Sequence, residues 1–275
     1  MAITKFIPQI WNAQMLLDFR ETATAANTVN RSYEGDATKG NTVKITSAVN
    51  VAIADYKAAG RLTSASAVSD TGLDLLIDQE KSFDFYVDDI DRAQAAGSFG
   101  AYTLSAAEGL AEDADKFILA LALTGALAGN VTAAGAAVTT GDAALNILRD
   151  LRLKLNKQLV PKTNRVAYVN AEFEAILLEA SSKLTQVDKS GSPAGLREAS
   201  VGRILGFDVV TSENLPNVAK PQVLAFHTPS VAFVSQIQET EALRANDKFA
   251  DRLRGLHVYG GKIIRPKAIA AWTSV

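Results

Sequence analysis

The chain has 275 residues, 48% of them hydrophobic and 21% charged, with a formal net charge of −2 and no cysteine. Such a composition suits one large or two small globular domains with a real core. It excludes disulfides, thiol nucleophiles and thiolate metal sites, and it provides no overall field to draw the chain to nucleic acid or anionic lipid.

Residues 9–21 follow Pro8 and place Ile10, Leu16, Leu17 and Phe19 at helical spacing, which predicts a short amphipathic helix. Pro8, Gln9 and Asn12 fall where a secretory signal needs an apolar run, so none is read. Residues 22–33 are rich in Thr, Ala and Asn and read as irregular. Residues 41–49 (NTVKITSAV) alternate and are β-branched, the pattern of a strand, and 50–72 form a long loop of small residues. Period two then runs through 73–88. One face carries Leu73, Leu75, Ile77, Phe83, Phe85 and Val87; the other carries Asp74, Asp78, Glu80, Asp84 and Asp88. This is one strand or two collinear strands with an acidic face. With 41–49 it predicts a hairpin arm tipped by the loop. Two strands alone are marginal in water, so the arm needs a support, and no third strand is evident nearby in the sequence.

Residues 101–127 have helical spacing over a length of about 40 Å. The uncharged stretch 117–141 is densely apolar only over 117–128, short of the about 20 residues a membrane span needs, and reads as a buried helix end followed by an Ala/Gly loop. A second helix spans 143–159 and stops at Pro161; a strand at 165–169 and a third helix at 171–184 follow. After a Gly/Ser/Pro loop at 188–199, strands are predicted at 204–211, 222–227, 231–238, 255–264 and 267–272. The fold class is α+β, without regular βα alternation or internal repeat.

Catalytic constellations are missing from the pattern. His227 and His257 have no third ligand at a metal spacing and lie in apolar strands, the setting of core or interface histidines. There is no Gly-x-Ser-x-Gly elbow. GLHVYGGKII at 255–264 fails the phosphate-loop spacing and reads as a strand with a glycine bulge. Gly202 and Gly206 in VGRILGFDVV are neither preceded by a strand nor followed by a helix, so no dinucleotide site is read there. The acids Asp70, Asp74, Asp78, Glu80, Asp84, Asp88, Asp89 and Asp91 lie along a strand edge and cannot wrap an ion. Between 244 and 267 the chain is basic: Arg244, Lys248, Arg252, Arg254, Lys262, Arg265 and Lys267. Without interleaved stacking aromatics, that region suits an acidic protein face better than nucleic-acid bases.

The order of parts resembles the major capsid proteins of tailed bacteriophages, with their Hong Kong 97-type fold. The resemblance is carried by ITKFIPQIW, NRSYEGD, IDQEKSFDFYVDDIDRAQA, GRILGFDVVTSENLP and VAFVSQIQETEALRANDKFADRLRGLHVYGGKIIRPKAIA, in that order along essentially the whole chain. It implies an N-terminal arm at 1–33, an extended β-hairpin loop at 34–90, a peripheral domain at 91–140 and 221–275 whose long spine helix is 101–127, and an axial domain at 141–220. It also implies a structural protein with no enzymatic activity and no cofactor. Copies would form hexamers and pentamers that close into an icosahedral shell around double-stranded DNA, assembled in the host cytoplasm and carried in the virion. The arm motif starts at residue 3, which implies either a chain already processed or a separate scaffolding protein, with Met1 favouring the second; a portal is a further implied partner, contact with packaged DNA is non-specific, and no membrane is involved. In this reading Gly202 and Gly206 turn the backbone into the strand at 204–211. Lys57 sits in the loop, yet no acceptor motif for a lysine–asparagine cross-link is seen. The alternatives are a cellular nanocompartment shell of the encapsulin kind and a carboxylate-dependent hydrolase using the acids of 84–91. Charge complementarity within one sequence nominates the inter-subunit contacts. Asp74, Asp78, Glu80 and Asp84 would face Arg244, Arg252 and Arg254 of a neighbour, and Lys57 and Arg61 would reach out from the loop.

Overall fold

A computed structural model describes residues 23–34, 40–48, 70–88, 100–132, 137–179, 202–216, 220–245 and 248–274, with isolated positions between 53 and 62. The helix expected at 9–21, the end of the one expected at 171–184, and the loop at 188–199 fall wholly or partly outside these residues.

A six-stranded sheet forms the centre, in the order β4 (Val131–Thr132), β11 (Ile269–Thr273), β8 (Gln222–His227), β5 (Arg165–Val169), β7 (Phe207–Thr211), β6 (Arg203–Ile204). β5 lies parallel to β7 and antiparallel to β8, and β8 is antiparallel to β11. β5 and β8 are buried along their whole length, as continuous apolar runs demand when both faces are covered. On one face Val166, Tyr168, Leu224, Phe226, Ile269 and Ala271 meet Ala114, Ile118, Leu119 and Ala122 of the long helix α2 (Gly100–Thr124). On the other, Ala167, Val169, Val223, Ala225 and Trp272 meet Leu148, Leu151 and Leu155 of α3 (Gly141–Lys157) and Phe173 and Leu177 of α4 (Ala171–Leu177). The alternation of side chains along each strand thus sorts one sheet into two cores. The expected boundary between 141–220 and 221–275 runs inside this sheet, between β5 and β8.

A second sheet has the order β3 (Gln79–Asp88), β10 (Ala250–Ile263), β9 (Val231–Arg244). This corrects the sequence expectation of one hairpin from 41–49 and 73–88. β1 (Thr42–Ala48) pairs with β2 (Asp70–Leu76); the inside–outside alternation runs on through Ile77 and Asp78, but the segment divides there into two strands, the second of the two sequence readings, and β3 is the antiparallel partner of β10. The expected lack of support is corrected too. Val43, Ile45, Leu75 and Ile77 of the β1–β2 hairpin pack on Ala232, Val234 and Val258 of β9 and β10. The approach is so close that a Cβ on Gly260 would stand 2.1 Å from the Leu76 carbonyl oxygen. Of the glycines of GLHVYGGKII, Gly260 serves that contact, while Gly255 makes room for the Phe83 ring and Gly261 for Leu121 and Phe117 of α2; the register of β9 against β10 shifts nearby, between Val258 and Tyr259.

Two further corrections concern extent. β9 and β10 run 14 residues each, well past the expected 231–238 and 255–264, as a long polar ribbon. The segment expected to be irregular at 22–33 contains one turn of helix, α1 (Ala25–Thr28). The single strand expected at 204–211 is also corrected: Leu205 (φ 49°) and Gly206 (φ 81°) form a two-residue turn inside it that divides it into β6 and β7, so a strand does precede Gly206, and Gly202 (φ 54°) lies just before β6.

Candidate functional site: assembly surfaces

Among the described residues no group of His, Asp and Glu could hold a metal ion, and no helix is long and apolar enough to cross a membrane.

The β3–β10–β9 sheet carries Glu80, Asp84, Arg244, Arg252 and Arg254 of the nominated residues. Strand register puts Asp84 opposite Arg254 and Tyr86 opposite Arg252 across one pair, and Arg254 opposite Glu241 across the next. The long guanidinium groups then choose their partners. Arg252 reaches diagonally to Asp84, Nε donating to Oδ1 at 2.8 Å and Oδ2 at 3.1 Å while Nη2 also bonds Oδ2; it lies over the Tyr86 ring at 5.5 Å. Arg254 grips Glu241 through Nε (2.9 Å) and Nη2 (2.6 Å), and Arg244 donates to Asp251 at 3.0 Å. The Arg252 hydrogen bond holds the Asp84 carboxyl below the usual carboxylate range. Three of the nominated arginines therefore meet carboxylates of their own chain, and Asp84 is one of those carboxylates. These pairs lie on an exposed face, where they fix register more than stability. Sequence reading saw the complementarity and could not see that β3 and β10 are neighbours.

The remaining nominated residues are not gathered into this network. Asp74, Asp78 and Glu80 project from the exposed side of β2 and β3, with the Gln79 amide donating to Asp78 at 3.0 Å. In the loop, Asp55 accepts from the backbone N–H of Lys57 at 2.9 Å, forming a local turn; Lys57 and Arg61 are exposed, Arg61 with φ of 64°. Ile53 and Leu62, 99% and 77% exposed, stand in the same loop.

A third feature was invisible in the sequence. Asp115 of α2 is buried, and its carboxylate accepts from the backbone N–H groups of Thr24 (2.5 Å), Ala25 (2.9 Å) and Ala26 (3.1 Å). Asn30 then adds a bridge to β9, its N–H donating to Val231 at 2.9 Å, and the Thr28 hydroxyl meets that of Tyr168 at 2.7 Å. The N-terminal segment is thus clamped where it joins the body. Further along α2, Asp113 accepts from the Tyr259 hydroxyl at 2.6 Å and pairs with Lys81 at 3.7 Å, tying the helix to β10 and β3. Burial, and then that bond, hold the Tyr259 hydroxyl protonated. An acid in a helix normally reads as solvated; only the tertiary approach of two elements gives these two a role.

A central sheet lies between a long helix and two shorter ones, with a hairpin laid on the second sheet, and comparison with known proteins says what this arrangement is. The family model described as phage capsid protein matches residues 75–272. The chain belongs to the phage capsid protein family. A chain in a structure of Mycobacterium phage Che8 is 48% identical over 98% of both chains, with a TM-score of 0.89. The capsid structure of Cyanophage P-SCSP1u (15% identity, 98% and 93% covered, TM-score 0.83) and the mature capsid of bacteriophage PhiM1 (16%, 98% and 92%, 0.75) share the fold. No curated protein matches the chain. This major capsid protein builds the icosahedral shell of a virion, with the Hong Kong 97-type fold.

Proposed function

We propose that the capsid protein works mechanically rather than catalytically, as hexamers and pentamers whose closed shell encloses double-stranded DNA. Scaffolding and portal proteins act as separate partners, and DNA is touched without sequence preference. In this reading 1–33 is the arm, 34–90 the extended loop, 91–140 with 221–275 the peripheral domain and 141–220 the axial domain. The observation that carries it is the placing of large apolar side chains at the ends of projecting elements. Ile53 and Leu62 in the loop, and Phe249 at the tip of the β9–β10 ribbon, are exposed one by one, out of reach of their own core. Such positions gain cover from neighbouring copies. Loop residues Lys57 and Arg61 and the acids Asp74, Asp78 and Glu80 are the charged contacts of the same interfaces.

Electron microscopy of the purified protein, expressed alone and with its neighbouring genes, tests this. Closed shells with sixfold and fivefold capsomers are expected. A protein that stays monomeric by native mass measurement under all salt and scaffold conditions overturns the reading.

A further inference from the structure

Residue Leu159 sits where a leucine is out of place. It follows the C-terminus of α3 with φ of 57°, and it is 90% exposed. The Val160 N–H donates to the Leu155 carbonyl at 3.2 Å and the Leu159 N–H to that of Asn156 at 3.0 Å, the double closure that usually takes a glycine at this position. An L-residue is disfavoured in this left-handed backbone, and the exposed side chain gains nothing from its own subunit. The turn is nonetheless rigid. Buried Arg165 donates to the carbonyls of Pro161 and Val160, both at 2.7 Å, and so holds the leucine outward.

The leucine borders a hollow of about 330 Å³, lined by Val160, Pro161, Ile264, Pro266 and buried His227, whose Nδ1 has no hydrogen-bond partner among the described residues. Two exposed cations, Arg265 and Lys267, complete the lining, and exposed Lys162 follows Pro161. Unlike Arg244, Arg252 and Arg254, these three meet no carboxylate among the described residues. The surface is an apolar seat with an unanswered positive rim.

The same chain carries its complement. Asp74, Leu76 and Asp78 share the exposed side of the β2–β3 edge, and Leu76 is 51% exposed; Lys44 stands across from Asp74 in β1, but neither acid forms an ion pair among the described residues. We propose that the Asp74–Leu76–Asp78 edge of a second copy seats on this hollow, Leu76 against Leu159 and the carboxylates against Arg265 and Lys267. This rests on self-assembly and assigns one of its interfaces. It also gives the basic counterpart of the acidic edge to the β10–β11 link rather than to arginines already paired in their own sheet.

Two experiments test it. Leu159→Gly relieves the backbone while removing the contact, so its two effects have opposite signs. The unassembled subunit should melt a few degrees higher, and the shell should come apart at a lower temperature than wild type or fail to form. A shell that also gains heat resistance overturns the proposal. The second experiment uses the absence of cysteine from the chain. Shells carrying Leu76→Cys together with Leu159→Cys should give, on oxidation, a ladder of covalently linked chains on a denaturing gel. Unlinked chains from intact shells, an internal link that leaves only monomers, or a link formed by Leu159→Cys alone each overturn the assignment. If the double variant makes no shells, the Leu159→Gly pair of melting curves decides. Wild-type shells seen by microscopy keep the assembly reading standing whichever way these results fall.

Discussion

Single side chains carry two roles that a surface view hides. The Asp115 carboxylate is the only acceptor joining three backbone donors at the start of α1, among the described residues. Hydrogen bonds to a charged group are the strong kind, and their loss strands buried donors. Asp115→Ala should lower the unfolding free energy of the subunit by roughly 3 kcal/mol, and Asp115→Asn, which keeps one acceptor oxygen, should lower it less. Denaturant titration reads both, and hydrogen exchange should show residues 24–30 released first. The two histidines act through pH. Burial pushes the His227 imidazole below its ordinary value of 6.5, with Arg265 and Arg165 adding to the effect; burial also lowers His257 although Asp113 opposes it. Both are then held neutral in the folded state while the unfolded chain takes up protons. Their contribution is whole above pH 6.5 and is lost as pH falls through and below that value. The melting temperature of the subunit should therefore drop between neutral and mildly acidic pH, and His227→Gln should make that drop shallower. An unchanged slope in that variant would show that His227 does not titrate differently on folding.

At the scale of elements, the central question is what holds the β1–β2 hairpin, since two strands are not stable alone. The answer is contact with β9 and β10, and Gly260 sets its closeness. A Cβ at this position would meet backbone of Leu76 and Ile77, which cannot rotate away. Gly260→Ala should destabilise by about 1–3 kcal/mol, the range for overpacking. Amides of Thr42–Ala48 and Asp70–Leu76 should lose exchange protection while those of α2 keep theirs. Equal loss in both would mean that the hairpin is not a separable unit. The same elements show what sequence could and could not reveal. β5, β8, α2 and α3 were legible because burial writes a local pattern, a continuous apolar run or a 3.6-residue period. The outer halves of β9 and β10 were not, because one side is held by arginine–carboxylate pairs and the apolar positions of the other, such as Leu253 opposite Phe85, are too sparse within either strand to write a local period. Pairing of β3 with β10 joins segments too far apart in sequence for any local period to encode. For the same reason the acidic and basic faces were readable as complementary, but not as neighbours within one chain.

At the scale of the molecule, the subunit divides into what its own core stabilises and what it presents to other copies. Two cores on either side of the six-stranded sheet, and a third under the hairpin, take in every buried apolar residue among those described except Ala250. The loop between β1 and β2 has no such cover at the positions described. Ile53 and Leu62 are open to solvent, as are Lys57 and Arg61. Its sequence DYKAAGRLTSASAVSDTG offers few large apolar groups. Ordering each residue costs about 1–2 kcal/mol of backbone entropy, which so few groups cannot offset within one subunit. A neighbouring surface can supply the contacts, as for any segment that orders on binding. Deleting residues 58–68 and joining the remaining chain by a short turn should therefore leave the subunit as stable as before, because the seven paired positions of β1 and β2 and their seat on β9 and β10 are untouched. Shell formation should fail, or the shells should break at lower temperature. Denaturation of the subunit and microscopy of heated particles measure the two effects separately. Deletion shells as robust as the wild type would show that the loop contributes nothing between copies. A subunit weakened by the deletion would show that the loop packs on its own chain.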